Sequence, residues 1–288
     1  MQKTTHFLWQ PAAWLRVTGE DALSFLQGQL TQDLRHLMPG QAVYGLWLNQ
    51  KGKMVADSFV LRDEGGAYFL GSYHSPAAVI RERLEAYIIA DDVTIRDETT
   101  QWRGVTLWSD EPPETWRADL PGGFVFRGRR EVGAHWEWVA PVAAVESHAA
   151  QLGPAMDAAE VERRRIVAGI PAVPQDLGPN DLPNEGGLER DAISYTKGCY
   201  LGQEVMARLK AMGQVRRRLL RVRGTGAVPA LPAALFADGR EAGELRSAAE
   251  DADGFAGLAM VTLRHVPADG KLALAADAAP ALQLAEQP

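Results

Sequence analysis

Residues 194–213, SYTKGCYLGQEVMARLKAMG, mark the point where the pattern of this chain changes, and they hold its only cysteine, Cys199. Leu201, Val205, Leu209 and Met212 recur at helical spacing, which predicts an amphipathic helix over 200–212 stopped by Gly213. Beyond Gly213 the chain reads as short strand-like pieces, RRLLRVRG (217–224), ALFADGREAGELRSAA (234–249), GFAGLAMVTLRHV (254–266) and a trailing KLALAA (271–276). That is the pattern of a small all-β domain from about 214 onward.

Upstream, helical and strand patterns mix. Leu23, Leu26, Leu30, Leu34 and Leu37 lie at helical spacing, with Thr31 placed to cap a second short helix and Met38-Pro39-Gly40 to end it. AVYGLWL (42–48), MVADSFVL (54–61) and AYFLG (67–71), separated by NQKGK (49–53) and DEGG (63–66), read as an antiparallel meander. Ser75 and Pro76 read as the N-cap and first residue of a helix presenting Ile80, Leu84, Tyr87 and Ile88 on one face. Less distinct strands are expected at GVTLW (104–108), GFVFRG (123–128) and HWEWVA (135–140), with a helix near 142–151. Residues 171–192, rich in proline and glycine, can sustain neither a helix nor a central strand and form an extended ordered loop or a linker.

Composition bounds the function. With 288 residues, 46% of them hydrophobic, the chain can bury a sizeable core in two or three domains. One cysteine permits no intrachain disulfide and no thiolate cluster for zinc or iron–sulfur, so no metal site is expected and a reducing compartment fits. No apolar run reaches membrane-spanning or signal-peptide length, and the protein is expected in the cytoplasm, off the membrane. The net charge of −7 argues against a general nucleic-acid binder, yet Lys197 to Arg223 alone carries +7. This window is either a solvated face or an anion site. Stable nucleic-acid binding through Arg216-Arg217-Arg218 is not expected, because no aromatic residue between Tyr200 and Phe236 offers a base a stacking platform.

Cys199 is the candidate functional residue. At the N-terminal end of the expected helix, one turn from Gln203 and two residues after Lys197, it lies where helix dipole and ammonium both favour a thiolate. Gly198 would let the backbone approach another group closely or adopt positive φ. The competing reading is a small buried hydrophobe.

Lys197-Gly198-Cys199-Tyr200-Leu201-Gly202-Gln203-Glu204 resembles the K-G-C-Y-x-G-Q-E signature of YgfZ-type proteins, folate-binding relatives of the glycine-cleavage T-protein. FLQGQLTQD (25–33), NQKGK (49–53), Arg163, AGIP (168–171), EAGELRS (241–247) and GLA (257–259) resemble the family in the same order, while 100–155 carries no motif that can be placed. The resemblance implies an α+β, T-protein-like architecture: two α+β domains and a C-terminal β-barrel in a ring around a central folate cavity. The domains are expected at 1–100, possibly discontinuous, at 101–213 including the 171–192 loop, and at 214–288. It further implies an accessory protein for assembly or repair of iron–sulfur enzymes, tRNA-modifying ones included. Tetrahydrofolate or another reduced folate would be the cofactor, and client iron–sulfur proteins the partners. Cys199 would be the working thiol and Lys197 its activator, with folate contacts at Gln203, Glu185, Arg208, Tyr200 and Trp14. The alternative is a folate-dependent aminomethyltransferase. T-proteins carry an adjacent acidic pair after the N-x-x-G turn; the corresponding stretch here keeps only Asp57, which would act as the carboxylate in that case and otherwise as an outward-facing strand residue.

Overall fold

The computed structural model describes residues 5–109 and 116–285. The chain divides into two compact units, both discontinuous in sequence. The first takes the chain up to Gly128, with Gly133–Asp157 and Arg190–Ala207; the second takes Arg129–Val132, Ala158–Glu189 and everything from Arg208 on.

In chain order the elements are β1 (Thr5–Trp9), β2 (Ala13–Thr18), α1 (Ala22–Gln29), β3 (Ala42–Leu48), β4 (Met54–Arg62), β5 (Tyr68–Ser72), α2 (Ala77–Glu85), β6 (Thr94–Asp97), β7 (Trp102–Trp108), β8 (Phe124–Arg127), β9 (His135–Pro141), α3 (Val142–His148), α4 (Ala158–Ala168), α5 (Gln203–Met212), β10 (Arg217–Gly224), β11 (Ala233–Ala237), β12 (Arg240–Asp251), β13 (Gly254–Thr262), β14 (Lys271–Leu272) and β15 (Leu282–Leu284). The expected meander is present as β3, β4 and β5, each antiparallel to the next.

The first unit stacks two sheets, ordered β3-β4-β5-β2-β6 and β1-β7-β9-β8. Period-two alternation on β4 sends Ala56 and Val60 toward α1 and α2, where Phe25, Leu26, Ile80 and Leu84 complete one core. Phe59 and Leu61 point the other way, onto Phe124, Phe126 and Val139 of the second sheet. Both faces of β4 are therefore covered, which explains a near-continuous apolar run in an antiparallel strand. The far side of the second sheet is closed by α3 through Val105, Trp138, Ala140 and Val145, so the tryptophan-rich middle of the chain is packing material.

Two helix expectations change. Leu30 turns extended and pairs with Trp47, while the Thr31 hydroxyl donates to Ala192 O and accepts from Leu46 N; Thr31 thus joins a strand edge instead of capping a second helix. The hydroxyl of Ser75, expected as a cap, donates to Asp57, and α2 starts after Pro76 without a side-chain cap.

In the second unit the strand order is β11-β12-β13-β10-β15-β14, and a bridge between Phe236 and Ala273 brings the two edges of this sheet together into a nearly closed barrel. Val222, Leu235, Leu245, Phe255 and Val261 fill it. Helix α4, which the periodicity reading passed over, packs on β12 and β13.

The 171–192 stretch is an ordered loop with short 3-10 turns at Pro183–Glu185 and Leu188–Arg190. Up to Glu189 it belongs to the second unit, and buried charge holds it there. Arg165 pairs with Asp176 at 2.6 Å, both almost inaccessible, and Ser247 donates to Asp176 at 2.6 Å. Between Leu245 and Ser247 a β-bulge leaves Arg246 unpaired across the ladder, and its guanidinium reaches Asp181 at 2.6 Å. Arg217 bonds both Asp181 and Glu185, so the basic run is not simply a solvated face.

Candidate functional site

The signature segment is built onto the end of α1, within the first unit. A helix leaves its last carbonyls without intrahelical donors and carries negative potential at that end. Here Lys197 and Leu201 supply the donors. Lys197 Nζ donates to Gln27 O (2.6 Å), Leu30 O (2.6 Å) and Gln32 O (2.9 Å), and Leu201 N donates to Gly28 O (3.2 Å). Upstream contacts fasten the same segment: Gln32 Nε2 to Asp191 O (2.9 Å) and Ser194 N to Thr31 O (2.9 Å). The three stretches that carry the resemblance in this unit, 25–33, 49–53 and 197–204, thus meet in space. At Gly202, with φ +86°, an added Cβ would lie 2.9 Å from Asn49 O; at Gly52 it would lie 2.9 Å from Val205.

These contacts revise four expectations. Helix α5 begins at Gln203, because Gly202 turns the chain left-handed just before it. Cys199 therefore sits four residues before the first helical residue, not on the helix and not on a shared face with Gln203. It is exposed, which excludes the buried-hydrophobe reading. Lys197 is buried with all three ammonium donors bound to carbonyls, so it offers the thiol no hydrogen bond. Burial lowers its pKa to about 8, against the opposing pull of Asp33 and with a smaller push from Arg35, so at neutral pH it is an ammonium. Gly198 has no positive φ and open space around it; Gly202 is the glycine the fold requires.

Of the expected folate contacts, Tyr200 is buried with its ring 5.3 Å from Lys197 Nζ, and its hydroxyl has no partner among the described residues. Burial, with a contribution from Tyr195, raises that phenol above its usual range. Gln203 opens α5 half-buried, and Arg208 lies exposed along the same helix; the side chain of Met212 falls outside the described ones. Trp14 does not fit a stacking role. It is completely buried among Phe69, Trp102 and Phe124, and no ring face is left for a ligand. Glu185 is buried too, its oxygens accepting from Leu182 N and from Arg217 at two positions, which makes it a fastening of the loop.

Asp57 is not outward-facing. It is 7% exposed, on the side of β4 that faces the second sheet, and its carboxylate accepts from Tyr44 (2.8 Å), Ser72 (2.7 Å) and Ser75 (2.6 Å). Hydroxyls of β3, β5 and the turn after β5 thus close around it. A second buried carboxylate escaped the sequence reading: Glu137, bound by Trp9 Nε1, Tyr73 and Thr106. Its signal, a lone acid in the aromatic strand HWEWVA, is visible only once β9 is known to be buried on both faces.

The fold is of the glycine-cleavage T-protein type. Residues 10–109 match the GCVT N-terminal domain and 216–285 the CAF17 C-terminal beta-barrel domain. The solved aminomethyltransferase T of the glycine cleavage system from Bartonella henselae superposes on 99% of this chain and 86% of its own, with a TM-score of 0.80 at 17% identity, a likeness of fold. The tRNA-modifying protein YgfZ of Edwardsiella ictaluri is 30% identical over 97% of this chain and 90% of its own. The human mitochondrial iron–sulfur cluster assembly factor IBA57 is 28% identical over 81% of this chain and 71% of its own. The Cryptococcus neoformans IBA57 homologue is 27% identical over 73% of this chain, and the match spans 63% of that relative's length. The chain belongs to the YgfZ and IBA57 family of T-protein-like proteins.

Proposed function

We propose that this chain is a reduced-folate-binding accessory protein that supports the assembly or repair of iron–sulfur enzymes, tRNA-modifying ones included, with Cys199 as its working thiol. The observation that carries the reading is the exposure of the sole thiol on a segment otherwise fastened at both ends. The names of the relatives, an iron–sulfur cluster assembly factor and a tRNA-modifying protein, support the client class. One thiol supplies one ligand to a cluster in transit or one partner in thiol exchange. Such a thiol needs a reducing compartment, and the cytoplasm is the one proposed here; the IBA57 relatives are named mitochondrial. Among the described residues no helix is long and apolar enough to cross a membrane.

Gln203 and Arg208 are the residues proposed to meet the folate, whose carboxylates suit an exposed guanidinium, while the Tyr200 hydroxyl is buried and would have to be uncovered to join them. When bound, the folate would supply one-carbon or reducing chemistry. In cells lacking the protein, Cys199→Ser is expected to lose support of a client iron–sulfur enzyme while tetrahydrofolate affinity stays within about twofold. Full support by the Ser variant would remove the thiol from the reading. A polyglutamylated folate should bind more tightly than the monoglutamate, with the advantage shrinking as salt rises.

One observation favours a second reading, the folate-dependent aminomethyltransferase: Asp57 is a buried, oriented carboxylate, not a solvated one. Methylene-tetrahydrofolate formed from an aminomethyl-loaded carrier protein and tetrahydrofolate would establish it.

A further inference from the structure

Lys197 and Tyr200 bracket the two exposed residues Gly198 and Cys199, and the Lys197 ammonium lies 5.3 Å from the centre of the Tyr200 ring. The four residues form a loop pinched at its base. Carbonyl oxygens of Gln27 in α1, of its C-cap Leu30 and of Gln32 just beyond, with one aromatic face, surround the ammonium, which is the donor set of a cation site occupied by a tethered cation. At the tip of the loop, apart from its two chain neighbours, Gly198 has no atom of the described residues within 4 Å of where its Cβ would lie.

We infer that Lys197 is a positioning residue: its ammonium, seated in the carbonyl cage at the end of α1, fixes the base of the loop that presents Cys199. This rests on Cys199 being the working thiol, but the cage is tested without it. The ammonium is charged at neutral pH, and the charged groups around it are Asp33 and Arg35, which pair with each other at 2.5 Å, so neither competes for the cage. Electrostatic activation of the thiol would need only positive charge nearby. Positioning needs N–H donors at three carbonyls.

The test uses the full-length protein and its Lys197→Ala variant. Hydrogen exchange at the Ser194 and Leu201 amides, which close the two sides of the segment, should speed up by at least about tenfold in Lys197→Ala, with exchange in β4 and β13 unchanged. Methylammonium, which carries three N–H donors, should restore much of the protection. Tetramethylammonium, with the same charge and no donor, should not. Support of the client enzyme should fall in the variant and recover with methylammonium alone. Unchanged exchange at both amides, or equal rescue by the two cations, would overturn the inference. Should Lys197→Ala fail to fold, Lys197→Gln, which keeps two N–H donors, is read in the same way and should lie between wild type and full loss. Loss of client support in Cys199→Ser with normal exchange at Ser194 and Leu201 separates failure of the thiol from failure of the cage.

Discussion

At the scale of single residues, the two glycines of the signature make opposite predictions. Gly202→Ala puts an L-residue at φ +86° and a methyl 2.9 Å from a backbone oxygen, so it should destabilise by more than the about 1–2 kcal/mol of the left-handed backbone alone. Gly198→Ala meets neither obstacle and should leave the urea midpoint unchanged. Equal effects would contradict the loop as described. Asp57 is the other decisive residue. Removing its carboxylate in Asp57→Ala leaves the hydroxyls of Tyr44, Ser72 and Ser75 without that acceptor in a buried site, a cost of about 2–4 kcal/mol in chemical denaturation. A stability loss of that size means that reduced activity in such a variant cannot by itself assign Asp57 to catalysis. Activity at a temperature where the variant remains folded is the comparison that counts.

At the scale of elements, α1 and α4 show two ways of stabilising a short helix, by donors from a distant part of the chain and by ion pairs within the helix itself. Helix α1 has eight residues, below what is stable alone, and its C-terminal carbonyls are satisfied by Lys197 and Leu201, about 170 residues later in the chain. The first turn of α4 holds Glu160, whose carboxylate binds Arg163 and Arg164 and is held at a pKa of about 2 by those two hydrogen bonds, Arg163 first. A folded-state pKa below the unfolded value gives stabilisation that is complete above about pH 4.5 and is lost as the pH falls toward 2. Glu160→Gln should therefore flatten the fall of the urea midpoint across that window, with little effect at pH 7 beyond the lost ion pairs. The pair is a third exposed, so the effect is small and screened by salt.

At the scale of the whole molecule, each unit is closed by segments far apart in sequence. In the second unit Arg165, Asp176, Asp181, Arg217, Arg246 and Ser247 join α4, the 171–189 loop and the barrel through buried charge. Removing one member of a buried pair leaves the other uncompensated, so Asp176→Ala should cost about 3–5 kcal/mol. The double variant Arg165→Met with Asp176→Leu should recover much of that, read as unfolding midpoints. A single variant at wild-type stability would mean that the loop is held by its apolar contacts alone.

The local chemistry of the chain determined much of this. Period-two runs bounded by NQKGK and DEGG could only be a meander, because glycine-rich turns close hairpins and β-branched and aromatic residues fill pleated surfaces. The signature singled out Cys199, which the fold leaves exposed. What local patterns could not carry was the far side of each element. Asp57 read as solvated because antiparallel strands commonly show one face to water, whereas this face of β4 packs on the second sheet and hydroxyls of β3, β5 and the turn after β5 surround the carboxylate. Trp14, a plausible ligand platform by position, is sealed by the same packing. Lys197 read as a neighbour of the thiol because it is two residues away, but side-chain direction depends on where the nearest unsatisfied acceptors lie. Those are the carbonyls at the end of a helix formed by residues 22–29, and no local pattern connects them to residue 197 before the chain has folded.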